Sequence, residues 1–138
     1  MTITNRQKQL VQQSFAQVEP IAEQAADIFY TTLFQYDPSL KPLFKNSLKS
    51  QGQKLMATLK VAVNGLDDLD ALIPILHKLA DRHVAYGVHA KDFTPVGNAL
   101  LHTLKVGLGN SWTPEVRQAW VDVFRIIATV MKAHAFRE

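Results

Sequence analysis

Leu76-His77-Lys78-Leu79-Ala80-Asp81-Arg82-His83-Val84-Ala85-Tyr86-Gly87-Val88 is the stretch that decides how this chain folds. Leu76 and Leu79 precede His83 by seven and four positions, a spacing that puts the three side chains on one face of an α-helix. Gly87 follows where such a helix would stop. An imidazole on that face stands against an apolar wall, where it can ligate a metal. A lone histidine in such a place is more often an ordinary core residue, and the surrounding sequence has to decide between the two.

Apolar residues recur at helical spacing on both sides of this segment, and strand signals are nearly absent. Thr4 can cap a helix carrying Leu10, Val11, Phe15 and Val18, which Pro20 interrupts. Pro20 suits the first turn of a second helix with Ile21, Ala25, Ile28, Phe29, Leu33 and Phe34. Asp37-Pro38 opens a short third element ending near Phe44, and residues 45–49 read as a polar connection. A helix from about Ser50 to Asn64 carries Gln51, Leu55, Leu59 and Ala62 on one face before Asn64-Gly65 stops it. The helix bearing His83 starts between Asp67 and Asp70, with an irregular start expected at Pro74. A helix from Asp92 then carries Phe93, Val96, Leu100, Leu104 and Leu108. The last opens at Thr113-Pro114-Glu115 and carries Val116, Trp120, Val123, Phe124, Ile127, Val130 and Met131. The chain is therefore predicted to be all-α, with six to seven unequal helices. Unequal helices with one short kinked element fit crossed packing better than a regular four-helix bundle.

A length of 138 residues suits a single domain over 1–138 with a core of its own. Hydrophobic residues at 47% and charged ones at 20% place it among globular chains. No apolar run approaches the roughly 20 residues of a membrane span, so no membrane partner is expected. Met1-Thr2-Ile3-Thr4-Asn5-Arg6 leads into Gln and Lys, which does not read as a secretory signal and makes a cytoplasmic location the default. The absence of cysteine excludes disulfides, thiolate metal sites and thioether attachment, so any cofactor is held non-covalently. The net charge of +3 comes from scattered basic residues, which indicates a solvated surface and no nucleic-acid partner. No exposed heptad seam is present, and a monomer is expected.

In this order, Asp37-Pro38-Ser39-Leu40-Lys41-Pro42-Leu43-Phe44, Gln51-Gly52-Gln53-Lys54-Leu55-Met56, Arg82-His83-Val84-Ala85-Tyr86-Gly87-Val88 and Ala119-Trp120 resemble the globins. The resemblance is to the bacterial single-domain haemoglobins related to the haem domain of flavohaemoglobins, and neuroglobin is similar along much of the chain. It covers nearly the whole sequence and implies a globin fold built around a haem pocket. The implied cofactor is haem b, non-covalently bound.

Position by position, the resemblance makes His83 the proximal ligand to haem iron and Phe44 the phenylalanine packed on the haem face. Tyr30 and Gln51 match the two distal positions, where a phenol hydroxyl and an amide N–H can stabilise a partly negative oxygen ligand by ~1–3 kcal/mol. Without the resemblance, Tyr30 reads as a core aromatic and Gln51 as an exposed glutamine. Helical phase favours Gln51 over Gln53, because Gln51 shares a face with Leu55. Leu55 would cover the distal pocket, while Leu79, Val88, Phe93 and Val96 would line the proximal side and haem edge. Lys54, then Arg82, would pair with the propionates, with a solvated charge as the alternative for each. His77, His102 and His134 read as exposed.

The sequence departs from flavohaemoglobin-like domains in two respects. Those domains have a tyrosine and a glutamate bonded to the proximal histidine; Phe93 and Ala135 stand at the matching positions and can form no such bond. No flavin or nicotinamide segment follows within the sequence, so redox turnover would need an external reductase. The implied function is reversible binding of oxygen, carbon monoxide and nitric oxide, and nitric oxide dioxygenation is the enzymatic activity the resemblance brings with it. A ligand-sensing or partner-binding globin without turnover is the alternative.

Overall fold

Helix signals in the sequence become six α-helices joined by short turns, five of them 3₁₀, in a computed structural model that describes residues 3–44 and 47–136. No strand occurs among the described residues. Helix α1 spans Asn5–Val18 and starts with a capping box. The Gln7 amide donates to the Thr4 hydroxyl at 3.0 Å, and the Thr4 amide donates to the Gln7 side chain at 3.1 Å. Pro20 lies in a 3₁₀ turn, Glu19–Ile21, that precedes α2 at Ala22–Tyr36. The short third element is 3₁₀ rather than α, Pro38–Leu43, and the Asp37 carboxylate caps it by accepting from the Ser39 amide at 3.1 Å.

Helix α3 runs Leu48–Asn64, two residues earlier than the sequence reading, because Ser47 caps it through the Ser50 amide at 3.1 Å. The connection expected over 45–49 is thus cut short; its residues 45 and 46 lie outside the described residues. Helix α4, Leu69–Ala85, is capped by Asp68 and passes through Pro74 without a break, so the irregular start expected there is corrected. The proline ring removes only the N–H that would have reached the Asp70 carbonyl. Helix α5 is Phe93–Leu108, and α6 is Pro114–Ala135 with Thr113 as its cap.

The packing explains where a site can form. Helix α1 lies on α6, where the fully buried Trp120 donates through Nε1 to the Ser14 hydroxyl at 2.9 Å. Ser14 in turn donates to the Leu10 carbonyl, which leaves no buried polar group unpaired at that contact. Helix α2 packs on α3 and α5, and α4 packs on α6. No comparable packing joins α4 to α3 or α5 among the described residues. Apolar residues accordingly divide into separate clusters. One, around Phe29, Tyr30, Leu33 and Leu40, takes in Leu43, Phe44, Leu55 and Val96; another, around Leu72, Leu76 and Ala80, takes in Leu79 and Phe93. Phe93 and Val96 are one turn apart in α5 yet belong to different clusters, so the start of α5 forms the floor between the α3 side and the α4 side. No described helix is long and apolar enough to cross a membrane.

Candidate functional site

His83 lies in the last turn of α4, half-buried, with Nδ1 2.8 Å from the Leu79 carbonyl oxygen one turn back. A carbonyl can only accept, so the ring proton sits on Nδ1 and Nε2 keeps its lone pair. Burial pushes the imidazole below its ordinary pKa of 6.5, opposed by the bond to Leu79, and the ring is neutral near pH 7. Phe93 stacks beside it with ring centres 6.4 Å apart. The helix ends because Gly87 adopts φ +92°, a conformation that disfavours any side chain. That turn also packs against the 3₁₀ element Pro38–Leu43, since a Cβ on Gly87 would lie 3.3 Å from Leu43 Cδ2.

Tyr30 lies in the other apolar cluster, with Phe44, Leu55 and Val96 packed against it. It is 5% exposed, edge-on to Phe29 at 5.0 Å and to Phe44 at 5.2 Å, and stacked on Phe34 at 6.1 Å. This aromatic clamp fixes the ring. Its hydroxyl has no hydrogen-bond partner among the described residues. Burial pushes the phenol up to about 12, which keeps it protonated and able to donate.

Gln51 is half-buried in the first turn of α3, whereas Gln53 is exposed, as the helical phase predicts. Its neighbour Gly52 sets its height against Tyr30, because a Cβ on Gly52 would come within 2.7 Å of Ala26 Cβ and 3.9 Å of Tyr30 Cε2. Only a glycine lets α3 cross α2 this closely.

In these two clusters and the turns beside them, Leu43, Phe44, Leu55, Leu79, Val88, Phe93 and Val96 are all half-buried. Each forgoes part of the ~1.5–3 kcal/mol that full burial of such a side chain gives, so a flat apolar partner would be stabilised there. No group of three or more His, Cys, Asp or Glu that could hold a metal occurs among the described residues. A metal at His83 would have one protein ligand and would need its remaining donors from a macrocycle. The apolar walls, the single free imidazole nitrogen and the phenol donor together fit a haem.

Lys54 and Arg82 are exposed and neither is ion-paired with a described residue. Phe93 and Ala135 both lie in the α4–α6 cluster, and neither carries a group able to bond His83. His89 is exposed and tied into the turn before α5, its amide donating to buried Asp92 at 2.8 Å. His102 is exposed as expected, but His77 and His134 are half-buried, which corrects the reading from sequence. They stack with ring centres 4.2 Å apart, and His134 Nε2 sits 3.0 Å from Asp81, because α4 and α6 lie side by side and each ring covers the other. The sequence reading missed the Gly52–Ala26 crossing, for which the signal was a glycine inside a helical pattern. It also missed the Gly87–Leu43 contact and a void of about 20 Å³ between Leu55 and Phe124, for which there was none.

The sequence profile of the Globin family matches residues 27–131. Neuroglobin of Dissostichus mawsoni is 30% identical across 94% of this chain and 90% of its own length. Neuroglobin of Danio rerio is 33% identical across 75% of this chain and 74% of its own. A flavohemoprotein of Halalkalibacterium halodurans is 26% identical across 94% of this chain, a match that takes in 32% of that longer protein. With the helices and the imidazole already in place, these matches establish that the chain belongs to the globin family, whose members bind ligands through haem.

Proposed function

We propose that this protein is a single globin domain, monomeric and cytoplasmic, that uses haem b to bind oxygen, carbon monoxide and nitric oxide. The observation that carries the reading is the His83–Leu79 bond at 2.8 Å, which fixes a neutral imidazole with a free nitrogen beside Phe93, among half-buried apolar side chains. His83 would hold the iron and Phe44 would pack on the macrocycle. Leu55, Leu79, Val88, Phe93 and Val96 would exclude water from it, and Lys54 and Arg82 would face its propionates. Haem, when bound, supplies a ferrous centre that takes diatomic ligands. Tyr30 and Gln51 donate to the ligand from the wall opposite His83.

Two donors on a small polar ligand slow its escape, which suits reaction with nitric oxide better than delivery of oxygen. Combining one oxygen and one nitric oxide to nitrate consumes one electron, which an external reductase would restore. The His83 proton goes to a neutral carbonyl rather than a carboxylate, so the ring stays an imidazole. That favours ligand binding over peroxide chemistry.

Absorbance spectra of the purified protein test this reading in the oxidised form, the reduced form and the reduced form with carbon monoxide. One haem per chain and a shifted band with carbon monoxide are expected. A colourless protein that takes up no added haem would overturn it.

A further inference from the structure

A concavity of about 640 Å³ lies away from His83. Asn98, His102 and Lys105 of α5 form its floor. Tyr36, at the end of α2, makes one wall, while Trp112 and Arg117, around the start of α6, make the other. At 100° per residue, the floor residues stand roughly half a turn round α5 from Phe93, which stacks on His83, and from Val96 and Leu100, which pack in the cluster around Tyr30. The groove therefore faces away from these residues, and its chemistry is independent of the haem reading.

Three properties of the groove point to one kind of ligand. Its volume falls within the ~300–1,000 Å³ of small-molecule sites. Its charge is positive on balance: Lys105 and Arg117 line it and form no ion pair with a described residue. The one acid at its rim, Asp37, already accepts from the Ser39 amide and hydroxyl as the cap of the 3₁₀ turn. Finally, its walls carry flat apolar surfaces, with Tyr36 51% exposed and Trp112 half-buried. One exposed and one half-buried aromatic side chain beside cations match a molecule that is planar at one end and anionic at the other.

We propose that this groove binds a planar aromatic anion of mononucleotide size, its ring against Trp112 and Tyr36 and its phosphate on Lys105 and Arg117. Flavin and adenine mononucleotides share this chemistry, and their ring systems distinguish the source. An acidic peptide would also meet the charge but would leave the aromatic walls unused.

Isothermal titration calorimetry on the protein as purified, with haem added to saturation, tests the proposal. The titrants are flavin mononucleotide, adenosine monophosphate, their uncharged nucleosides riboflavin and adenosine, inorganic phosphate and a hexaglutamate peptide. At least one nucleotide should bind saturably at one site per chain with Kd below about 1 mM. Its uncharged nucleoside and inorganic phosphate should each bind at least about tenfold more weakly, the scale of one lost charge or ring contact. Arg117→Glu and Trp112→Ala should each weaken the nucleotide by about tenfold or more, while Lys78→Glu, the same charge change on exposed α4, should leave it within about twofold. An unchanged far-ultraviolet circular dichroism spectrum and melting temperature in each variant report an intact fold. The proposal fails if neither nucleotide gives saturable heat at about 10 mM, if Arg117→Glu and Trp112→Ala bind like wild type, or if phosphate or hexaglutamate binds as tightly as the nucleotides.

Discussion

Gly52 and Ala26 meet with no room for a methyl group between them, since a Cβ on Gly52 would lie 2.7 Å from Ala26 Cβ. The contact sets the distance between α3 and α2, and so between Gln51 and Tyr30. Replacing Gly52 by Ala gains up to ~1 kcal/mol in helix propensity but incurs ~1–3 kcal/mol of overpacking. Overpacking wins, and it wins by more for Val. Gly52→Val should lower the unfolding free energy by about 1–3 kcal/mol and speed oxygen dissociation as α3 moves off α2. Denaturant midpoints and flash photolysis measure the two effects. Wild-type values for both would mean that α3 has slack at this crossing.

Much of this arrangement was legible in the sequence, for local reasons. Thr4, Asp37 and Thr113 cap the elements they were expected to cap, because a cap depends on a side chain and an amide two or three residues away. The period of the apolar residues placed His83, Gln51 and Leu55 on inward faces. What could not be read depends on how helices lie against each other. His77 and His134 are 57 positions apart, and nothing local says that α4 and α6 will bring their rings together. The same holds for Leu43 against Gly87 and for the groove between Tyr36 and Trp112. Ser47 was missed as a cap because Lys49 and Ser50 hid the start of α3 inside a polar run.

Changing His83 to Ala should abolish stable haem retention, because no second histidine stands on the α4 face that borders the cleft. The haem-to-protein ratio after gel filtration should fall well below one, and added imidazole should restore part of it by occupying the vacated space. Retention of a full complement with an unchanged ferrous spectrum would move the ligand elsewhere.

Removing haem should destabilise the protein. Its half-buried lining residues lose their partner, and ligand linkage predicts a loss of about 4 kcal/mol when haem is present at a thousand times its Kd. Helix α4 should respond most, because its main packing is on α6 alone. Hydrogen exchange in the apoprotein should therefore quicken across Leu69–Ala85 more than across α1 or α5. Equal melting temperatures for the two forms would contradict a haem-completed core.

Tyr30 should leave a signature at alkaline pH. Its phenol is pushed up to about 12 in the fold, against an ordinary value of 10.0 in the unfolded chain. Between those values the unfolded chain releases a proton that the folded protein keeps, so stability falls as pH rises. The contribution is whole below pH 10 and is lost as pH rises toward 12. Tyr30→Phe has no such proton, and its stability should decline less steeply across that window. Parallel declines in urea midpoint would show that burial does not perturb this phenol.

The distal pair should act mainly on escape. Entry of oxygen depends on access to the cleft, whereas departure must break the contacts from the Tyr30 hydroxyl and the Gln51 amide, so affinity differences at one site sit largely in the off-rate. Tyr30→Phe is the cleaner probe: the ring stays clamped between Phe29, Phe34 and Phe44, and only the donor is lost. A hydrogen bond to a partly charged acceptor contributes about 1.5–3 kcal/mol, so oxygen dissociation should accelerate by roughly tenfold or more. Gln51→Leu should have a smaller effect, because a half-buried amide keeps water as an alternative partner. Carbon monoxide is less polar as a ligand and should respond little to either change. The comparison between gases separates hydrogen bonding from a change in access, since widening the cleft would speed both alike. If both variants release oxygen within about twofold of wild type, below the scale of one hydrogen bond, Tyr30 is a packing residue and the cleft holds its ligand by other means.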